Sequence, residues 1–428
     1  MPAGVVIIGG GQAGVEAASA LRALGYGEPI LLIGDEVHFP YQRPPLSKDY
    51  LLGKLDAERL PLRAESFYEK QRIGLLTGQR AVAVDAQMKR IWLKSGAVIP
   101  YDHLILAVGA RNRPLSVQGS ERALYLRTMD DADAIGERLK SVESVAVIGG
   151  GFIGLELAAA ARTLGKVVTV IEAAPRLMAR AVSPLLSDFF REAHEREGVE
   201  TLLDAKVEEI ESTTIRLGDG TRRAAELVLA GIGVVPNIEL ASGAGLAVGN
   251  GIAVDEFLRT TDPNIFAIGD CAEFPGAFSC AGAGAGAPGS SAPGSSAPGS
   301  SLDRVRLESV QNAVDQAKCV ARCIVAAAAP YRDVPWFWTD QFDLRFQMAG
   351  LSAGHDRVVV RGTPESRKFT AFYFKEGRLI AADSVNRFGD HIAVRKLLAA
   401  GTPITPEQAA DASFDLKTTD LKTADLKR

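Results

Sequence analysis

The chain has 428 residues, 47% hydrophobic and 23% charged, which is enough length for roughly two to four domains and an ordinary composition for a globular protein with a core. Its net charge of −4, with no Lys/Arg-rich run, argues against nucleic acid as a partner. No run of about 18 apolar residues lacks charge or multiple glycines, so no membrane insertion is expected. The first apolar residues have no basic flank, so no signal peptide is read. The four cysteines, Cys271, Cys280, Cys319 and Cys323, form no disulfide framework, and a cytoplasmic location is expected.

The chain opens on VVIIGGGQAG, residues 5–14: four apolar residues, a glycine-rich turn, then an alanine-rich helical pattern to Leu24. Strand, tight turn and helix in that order suit a dinucleotide. Gly9 permits the turn, Gly11 lets the backbone approach a pyrophosphate, and Gly14 lets helix and strand pack. Asp35 ends the next apolar run about 20 residues past the last glycine, where a ribose-binding carboxylate is expected. A polar loop from Gly34 to Lys54 follows, containing PYQRPPLSK at Pro40–Lys48. Its adjacent prolines favour extended backbone. Arg43 and Lys48 either lie along a cofactor, near phosphate and near the reactive ring, or are simply solvated charges. LILAVGARNRP (Leu104–Pro114) reads as a strand ending in glycine that leaves the first domain, and Arg127 lies in a second basic connection.

The opening grammar then recurs. Val145–Ile148 runs into Gly149, Gly150, Gly151, Phe152, Ile153 and Gly154, a helix follows, and the next strand ends in Glu172. Two complete strand, GxGxxG, helix, strand and acid units are a strong signal for two dinucleotides. A carboxylate at Glu172 hydrogen-bonds a ribose 2′-hydroxyl and repels a 2′-phosphate, which favours NADH over NADPH, although Arg176 and Arg180 lie close in sequence. The glycines of Gly231–Asn237, Gly233 among them, allow close approach to the nicotinamide end. TTDPNIFAIGD (Thr260–Asp270) ends a short strand on Gly269 and Asp270, which suits a ribityl hydroxyl or an exposed turn.

Gly276–Ser301 is a low-complexity insert with three APGSS repeats, and disorder is expected there. A helix begins near Glu308 and carries Cys319 and Cys323 on one face. They read as buried small residues in preference to a redox pair or metal ligands. From Pro330 the pattern alternates as antiparallel strands, with a turn at Glu376 and Gly377 and a helix over His391–Ala400. The tail, residues 413–428, repeats a DLKTT-like unit and is expected to fray.

The motifs VVIIGGGQAG, PYQRPPLSK, LRTMDDA, VIGGGFIGLE, AGIGVVPN, IFAIGDCA, RLESVQNAVDQA and PWFWTDQ together resemble the NADH-dependent ferredoxin reductases of bacterial oxygenase systems. The resemblance implies an α/β fold with two Rossmann-like dinucleotide-binding domains, of the glutathione reductase-like flavoprotein type, plus a C-terminal α+β domain. Its expected boundaries are 1–113 and 237–329 for FAD, with the insert at 276–301, then 114–236 for NAD and 330–428 for the C-terminal domain. It implies FAD contacts from Gly9, Gly11, Ala13, Gly14, Asp35, Arg43, Lys48, Ala81, Arg127, Asp270 and Val310. NADH contacts are implied at Gly149, Gly151, Ile153, Gly154, Glu156 and Glu172, with Arg180 and Gly233 joining them.

Lys48 and Glu156 are expected to pair over the flavin, and Trp338 to pack beside the isoalloxazine. Trp336 is at least as well explained by core packing. The implied reaction is hydride transfer from NADH to FAD, then single electrons to a [2Fe–2S] ferredoxin serving a cytochrome P450 or an aromatic-ring dioxygenase. No cysteine stands in Gln42–Lys48 or in the helix after the second GxGxxG, where a disulfide reductase of this fold needs its dithiol. The alternatives are a rubredoxin reductase and a flavin-bearing interaction protein resembling apoptosis-inducing factor. No metal site is expected, and the oligomeric state is read as monomer or weak dimer. Lys318, Arg322, Arg395 and Lys396 are candidate cations for an acidic electron acceptor.

Overall fold

The structure, a computed structural model, describes residues 4–276 and 304–417. The elements that place the site are, in chain order, β1 (Val5–Ile8), α1 (Gln12–Ala23), β2 (Ile30–Ile33), β3 (Ile73–Leu76), β4 (His103–Leu106) and β5 (Ala123–Tyr125). Next come β6 (Ser144–Ile148), α2 (Phe152–Thr163), β7 (Val167–Ile171), α3 (Pro184–Arg196), β8 (Val199–Leu202) and β9 (Leu227–Ala230). The last are β10 (Ile265–Ala267), α4 (Val310–Ile324), β11 (Trp336–Gln341), β12 (Leu344–Gly350), β13 (Arg357–Thr363), β14 (Lys368–Lys375), β15 (Arg378–Val385) and α5 (Phe388–Ala400). They fall into two compact units.

The first unit comprises Met1–Gln42, Ala57–Arg111 and Val235–Asp333. Its parallel sheet runs β10-β4-β1-β2-β3, with Val5 opposite both Ile30 and His103. Every residue of β1 is buried, as expected of an apolar strand covered on both faces. α1 turns Val15, Ala17, Ala18 and Leu21 inward, and α4 packs against it. Each fully buried Leu or Ile contributes about 1.5–3 kcal/mol, so this sheet core is the rigid base of the unit. Strand order reverses at β1, and in such sheets ligands bind beyond the carboxyl ends at the reversal. Cys319 and Cys323 lie in this core, where their thiols donate to the carbonyls of Ala329 and Phe257.

The second unit comprises Arg43–Asp56, Asn112–Val234 and Val334–Arg428. It contains a parallel sheet, β8-β7-β6-β9-β5, and an antiparallel sheet, β11-β12-β15-β14-β13. The β14–β15 hairpin turns on Glu376 and Gly377, both with positive φ, the geometry whose twist matches paired strands. Successive side chains of β11 point to opposite faces. Phe337 meets Phe152 of α2 at 4.6 Å, and elsewhere in the sheet Phe346 and Phe369 meet Phe190 and Phe189 of α3. Trp336, on the other face of β11, meets His391 of α5.

Two local expectations, the proline loop and the tail, need correction. Pro44–Ser47 is a 3₁₀ turn and not extended chain, because the fixed proline φ suits the first positions of a helical turn. The helix read as beginning near Glu308 does begin there, running from Val310 with Ser309 as its cap, whose hydroxyl accepts from the Asn312 amide at 3.1 Å. Residues 413–417 of the tail do not fray. Leu416 is buried, and the Arg361 guanidinium donates to the carbonyls of Asp411 and Phe414 at 2.7 Å. The rest of the repetitive tail, and the insert from residue 277 onward, lie outside the described residues.

Candidate functional site

In the first unit the glycines divide their work unequally. Gly9 has φ +121°, and a Cβ there would stand 2.1 Å from the Ala107 carbonyl oxygen. A Cβ on Gly14 would stand 2.0 Å from the Gly9 oxygen, so both positions are closed to any side chain. Gly11 caps α1 without a side-chain partner, and its Cβ position meets nothing within 4 Å. The Cβ position of Gly11 thus opens on free space at the positive end of the helix, a fit for a pyrophosphate.

Asp35 lines an open pocket of about 430 Å³ with Gly78, Gln79, Arg80, Lys94 and Ser95. Ala81 opens the adjoining strand with its side chain buried, which leaves only its backbone for a ligand. Asp270 sits in the turn after β10. There the Gly269 amide donates to Gln316 Oε1 at 2.7 Å, and Arg306 donates to the Asp270 carbonyl at 3.0 Å. Val310 begins α4, whose N-terminal end carries the positive end of the helix dipole.

In the second unit the same turn is rebuilt. Gly149 has φ +105°, a Cβ on Gly154 would stand 2.0 Å from the Gly149 oxygen, and Gly151 caps α2. Ile153, in the first turn of α2, is exposed despite being apolar. Glu172 is held by two backbone amides, Gly150 N to Oε2 at 2.6 Å and Ala174 N to Oε1 at 2.7 Å. Each oxygen keeps a lone pair for a ribose hydroxyl. Arg176 is committed elsewhere, since it donates to the Ala179 and Val182 carbonyls and to Ser187 Oγ. Arg180 is exposed, and its Nη2 lies 3.2 Å from where a Gly233 Cβ would stand, which joins these two expected residues.

The charged centre of this unit is the pair Lys48 and Glu156. Lys48 follows the 3₁₀ turn, and Glu156 projects from α2 with only 6% of its side chain exposed. Lys48 Nζ lies 2.7 Å from Glu156 Oε1. Ser47 Oγ donates to Oε2 and Thr339 Oγ1 to Oε1, each at 2.5 Å. A buried carboxylate needs such partners, because its desolvation costs several kcal/mol. Burial raises the Asp340 carboxyl pKa, with Lys48 opposing and Glu156 adding to the shift.

Arg43 donates to the Arg127 carbonyl at 2.6 Å, so these two expected residues also meet. Trp338 packs on Trp336 with ring centroids 5.4 Å apart. Trp336 itself sits against His391 and under Arg395, whose guanidinium is 4.4 Å from the ring, so it has a packing role. Burial, aided by Arg395, pushes His391 down to about 4. Of the candidate docking cations, Lys318 pairs with Asp315 at 3.7 Å.

Sequence reading did not single out Ser47, Thr339, Gln341, His194, Arg80 or Lys94. Ser47 and Thr339 each adjoin a residue that it did name, Lys48 and Trp338, and that adjacency was the available signal. His194 had none.

The family described as pyridine nucleotide-disulphide oxidoreductase matches residues 3–317, and that described as reductase C-terminal matches 336–419. Rhodocoxin reductase of Rhodococcus erythropolis is 48% identical over 420 residues, covering 96% of this chain and 93% of that protein. The solved ferredoxin reductase for the CYP199A2 system of Rhodopseudomonas palustris is 44% identical, with TM-score 0.90, over 97% of this chain and 99% of the other. The covalent putidaredoxin reductase–putidaredoxin complex matches at 38% identity and TM-score 0.89, over 97% and 98%.

Proposed function

The chain belongs to the pyridine nucleotide-disulphide oxidoreductases and, within them, to the ferredoxin reductases of oxygenase systems, and from that premise we propose that it passes electrons from NADH to a [2Fe–2S] ferredoxin. That ferredoxin serves a cytochrome P450 or an aromatic-ring dioxygenase. One observation carries the reading. The buried Lys48–Glu156 pair stands in stretches, 40–50 and 152–163, that contain no cysteine. Without a dithiol there, the chain lacks the relay that a disulfide reductase of this fold needs, which supports an external electron acceptor. When bound, FAD supplies the chemistry that turns a hydride from NADH into single electrons.

The residues of this chain do the binding and orienting. In this reading 1–113 and 237–329 hold FAD, 114–236 holds NADH, and 330–428 carries the acceptor side. The amides beyond Gly9, Gly11, Ala13 and Gly14 hold the pyrophosphate. Asp35 holds the ribose and Asp270 the ribityl chain, and Ala81 contacts FAD through its backbone. Arg43 and Arg127 add positive charge, and the start of α4 at Val310 places its dipole at the pyrimidine edge. Gly149, Gly151, Ile153 and Gly154 seat the nicotinamide nucleotide, with Glu172, Arg180 and Gly233 along it. Lys48 and Glu156 fix the reacting rings in orientation and field, and Trp338 packs beside the isoalloxazine. No helix among the described residues is long and apolar enough to cross a membrane, and a cytoplasmic location belongs to the same proposal.

The test is an anaerobic titration with NADH and, separately, NADPH, followed by a [2Fe–2S] ferredoxin. Bleaching by NADH and recolouring by ferredoxin are expected. Bleaching without recolouring would move the acceptor to rubredoxin or another carrier.

A further inference from the structure

A chain of buried hydrogen bonds leads away from the ion pair. Thr339 Oγ1 donates to Glu156 Oε1 at 2.5 Å, Gln341 Nε2 reaches Thr339 Oγ1 at 3.3 Å, and Gln341 Oε1 meets His194 Nε2 at 2.8 Å. Thr339, Gln341 and His194 are each at most 1% exposed. The strand pleat accounts for the arrangement: Thr339 and Gln341 share one face of β11, which lies across α2, bearing Glu156, and α3, bearing His194.

Donor and acceptor roles follow from the carboxylate end. An ionised carboxylate only accepts, so the single Thr339 proton points at Glu156. The Thr339 oxygen must then accept, which places the NH₂ of Gln341 toward it and the amide oxygen toward His194. His194 must donate from Nε2. Its Nδ1 has no hydrogen-bond partner among the described residues, as fits a neutral ring protonated only at Nε2. Burial lowers the pKa of His194, in the same direction.

We propose that Gln341 is a positioning residue for the reaction: anchored by His194, it orders the Thr339 hydroxyl so that the Glu156 carboxylate is held in register with Lys48. This rests on the role given above to the Lys48–Glu156 pair. Without the anchor the hydroxyl is free to turn away, and the carboxylate keeps only Ser47 and Lys48.

Two measurements on the holoenzyme test it. In the first, nitrogen-15 NMR of histidine-labelled protein, assigned with His194→Gln, reads the tautomer. The neutral Nε2–H form is expected. A wild-type Nδ1–H tautomer overturns the proposal. In the second, stopped-flow reduction by NADH is expected to slow about tenfold in Thr339→Val and about threefold in Gln341→Met. Thr339→Ser is expected to restore most of the loss. The double variant Thr339→Val/Gln341→Met is expected to be no slower than Thr339→Val, because Gln341 acts through Thr339. Additive losses overturn the proposal. Slowing in Glu156→Gln without slowing in Thr339→Val or Gln341→Met overturns it and leaves the reductase reading in place. Unchanged rates in all of them, Glu156→Gln included, overturn it together with the role given to the Lys48–Glu156 pair.

Discussion

Lys48 Nζ and Glu156 Oε1 meet at 2.7 Å in a setting where the glutamate side chain is nearly all buried and the lysine side chain is only 18% exposed. The lysine comes from a proline-started 3₁₀ turn and the glutamate from a helix of a parallel sheet, so the pair ties two otherwise unrelated stretches together. Removing the lysine leaves the carboxylate with two hydroxyl donors and no countercharge.

Lys48→Ala is therefore expected to slow flavin reduction at saturating NADH by at least about tenfold, or 1.4 kcal/mol, with FAD still bound. It should also destabilise the fold by about 2 kcal/mol, below the 3–5 kcal/mol typical of a fully buried broken pair because Lys48 is partly solvated. Stopped-flow absorbance and thermal melts check the two effects separately. An unchanged reduction rate would remove Lys48 from the mechanism.

The glycines of the first turn separate folding from binding. Gly11→Ala adds a methyl where nothing lies within 4 Å, so the apoprotein should melt normally while FAD affinity falls about tenfold or more. Gly14→Ala drives a methyl to 2.0 Å from the Gly9 oxygen and should cost about 1–3 kcal/mol of stability with or without FAD. Flavin release and melting of the apoprotein distinguish them. Equal destabilisation by both would contradict the division of roles.

These contrasts mark what the sequence could and could not disclose. Both glycine turns, the acids after them and the antiparallel domain were readable, because period, spacing and turn chemistry are local properties. The Lys48–Glu156 pair was readable only through resemblance. Ser47, Thr339, Gln341 and His194 were not singled out, because which side of a strand meets which helix is settled by tertiary packing. The proline loop was misjudged for a local reason: proline φ suits both extended chain and the first turn of a helix, and only packing chooses. Phe414 and Leu416 looked like part of a polar repeat until β13 supplied Arg361 to bind the chain around them.

The nucleotide preference is expected to rest on Glu172 and not on Arg176. Arg176 spends its guanidinium on the Ala179 and Val182 carbonyls and on Ser187 Oγ. Arg176→Ala should therefore lower stability by about 1–3 kcal/mol while leaving the ratio of NADH to NADPH efficiency unchanged. Glu172→Gln should narrow that ratio about tenfold by removing the charge that repels a 2′-phosphate. Steady-state kinetics with both nucleotides checks this. A changed ratio in Arg176→Ala would show that the arginine reads the nucleotide.

Asp383 is expected to make the stability of the second unit depend on pH. Its carboxyl is buried within the antiparallel sheet, accepts from Tyr373 OH at 2.7 Å, and has no countercharge among the groups that shift it. Burial raises it from 3.8 to about 7, with the Tyr373 hydrogen bond partly opposing, so the folded chain keeps a proton that the unfolded chain releases. The folded state thus binds more protons between about pH 4 and pH 7, and stability from this group falls as pH rises through that window. The penalty is complete above pH 7. At 1.36 kcal/mol per pKa unit its ceiling is about 4 kcal/mol. Asp383→Asn keeps an acceptor for Tyr373 without the charge, so it should stabilise the protein by about 1–3 kcal/mol at pH 8 and by almost nothing at pH 4. Denaturant unfolding at both values measures the difference. A gain independent of pH would mean that folding does not raise the Asp383 pKa.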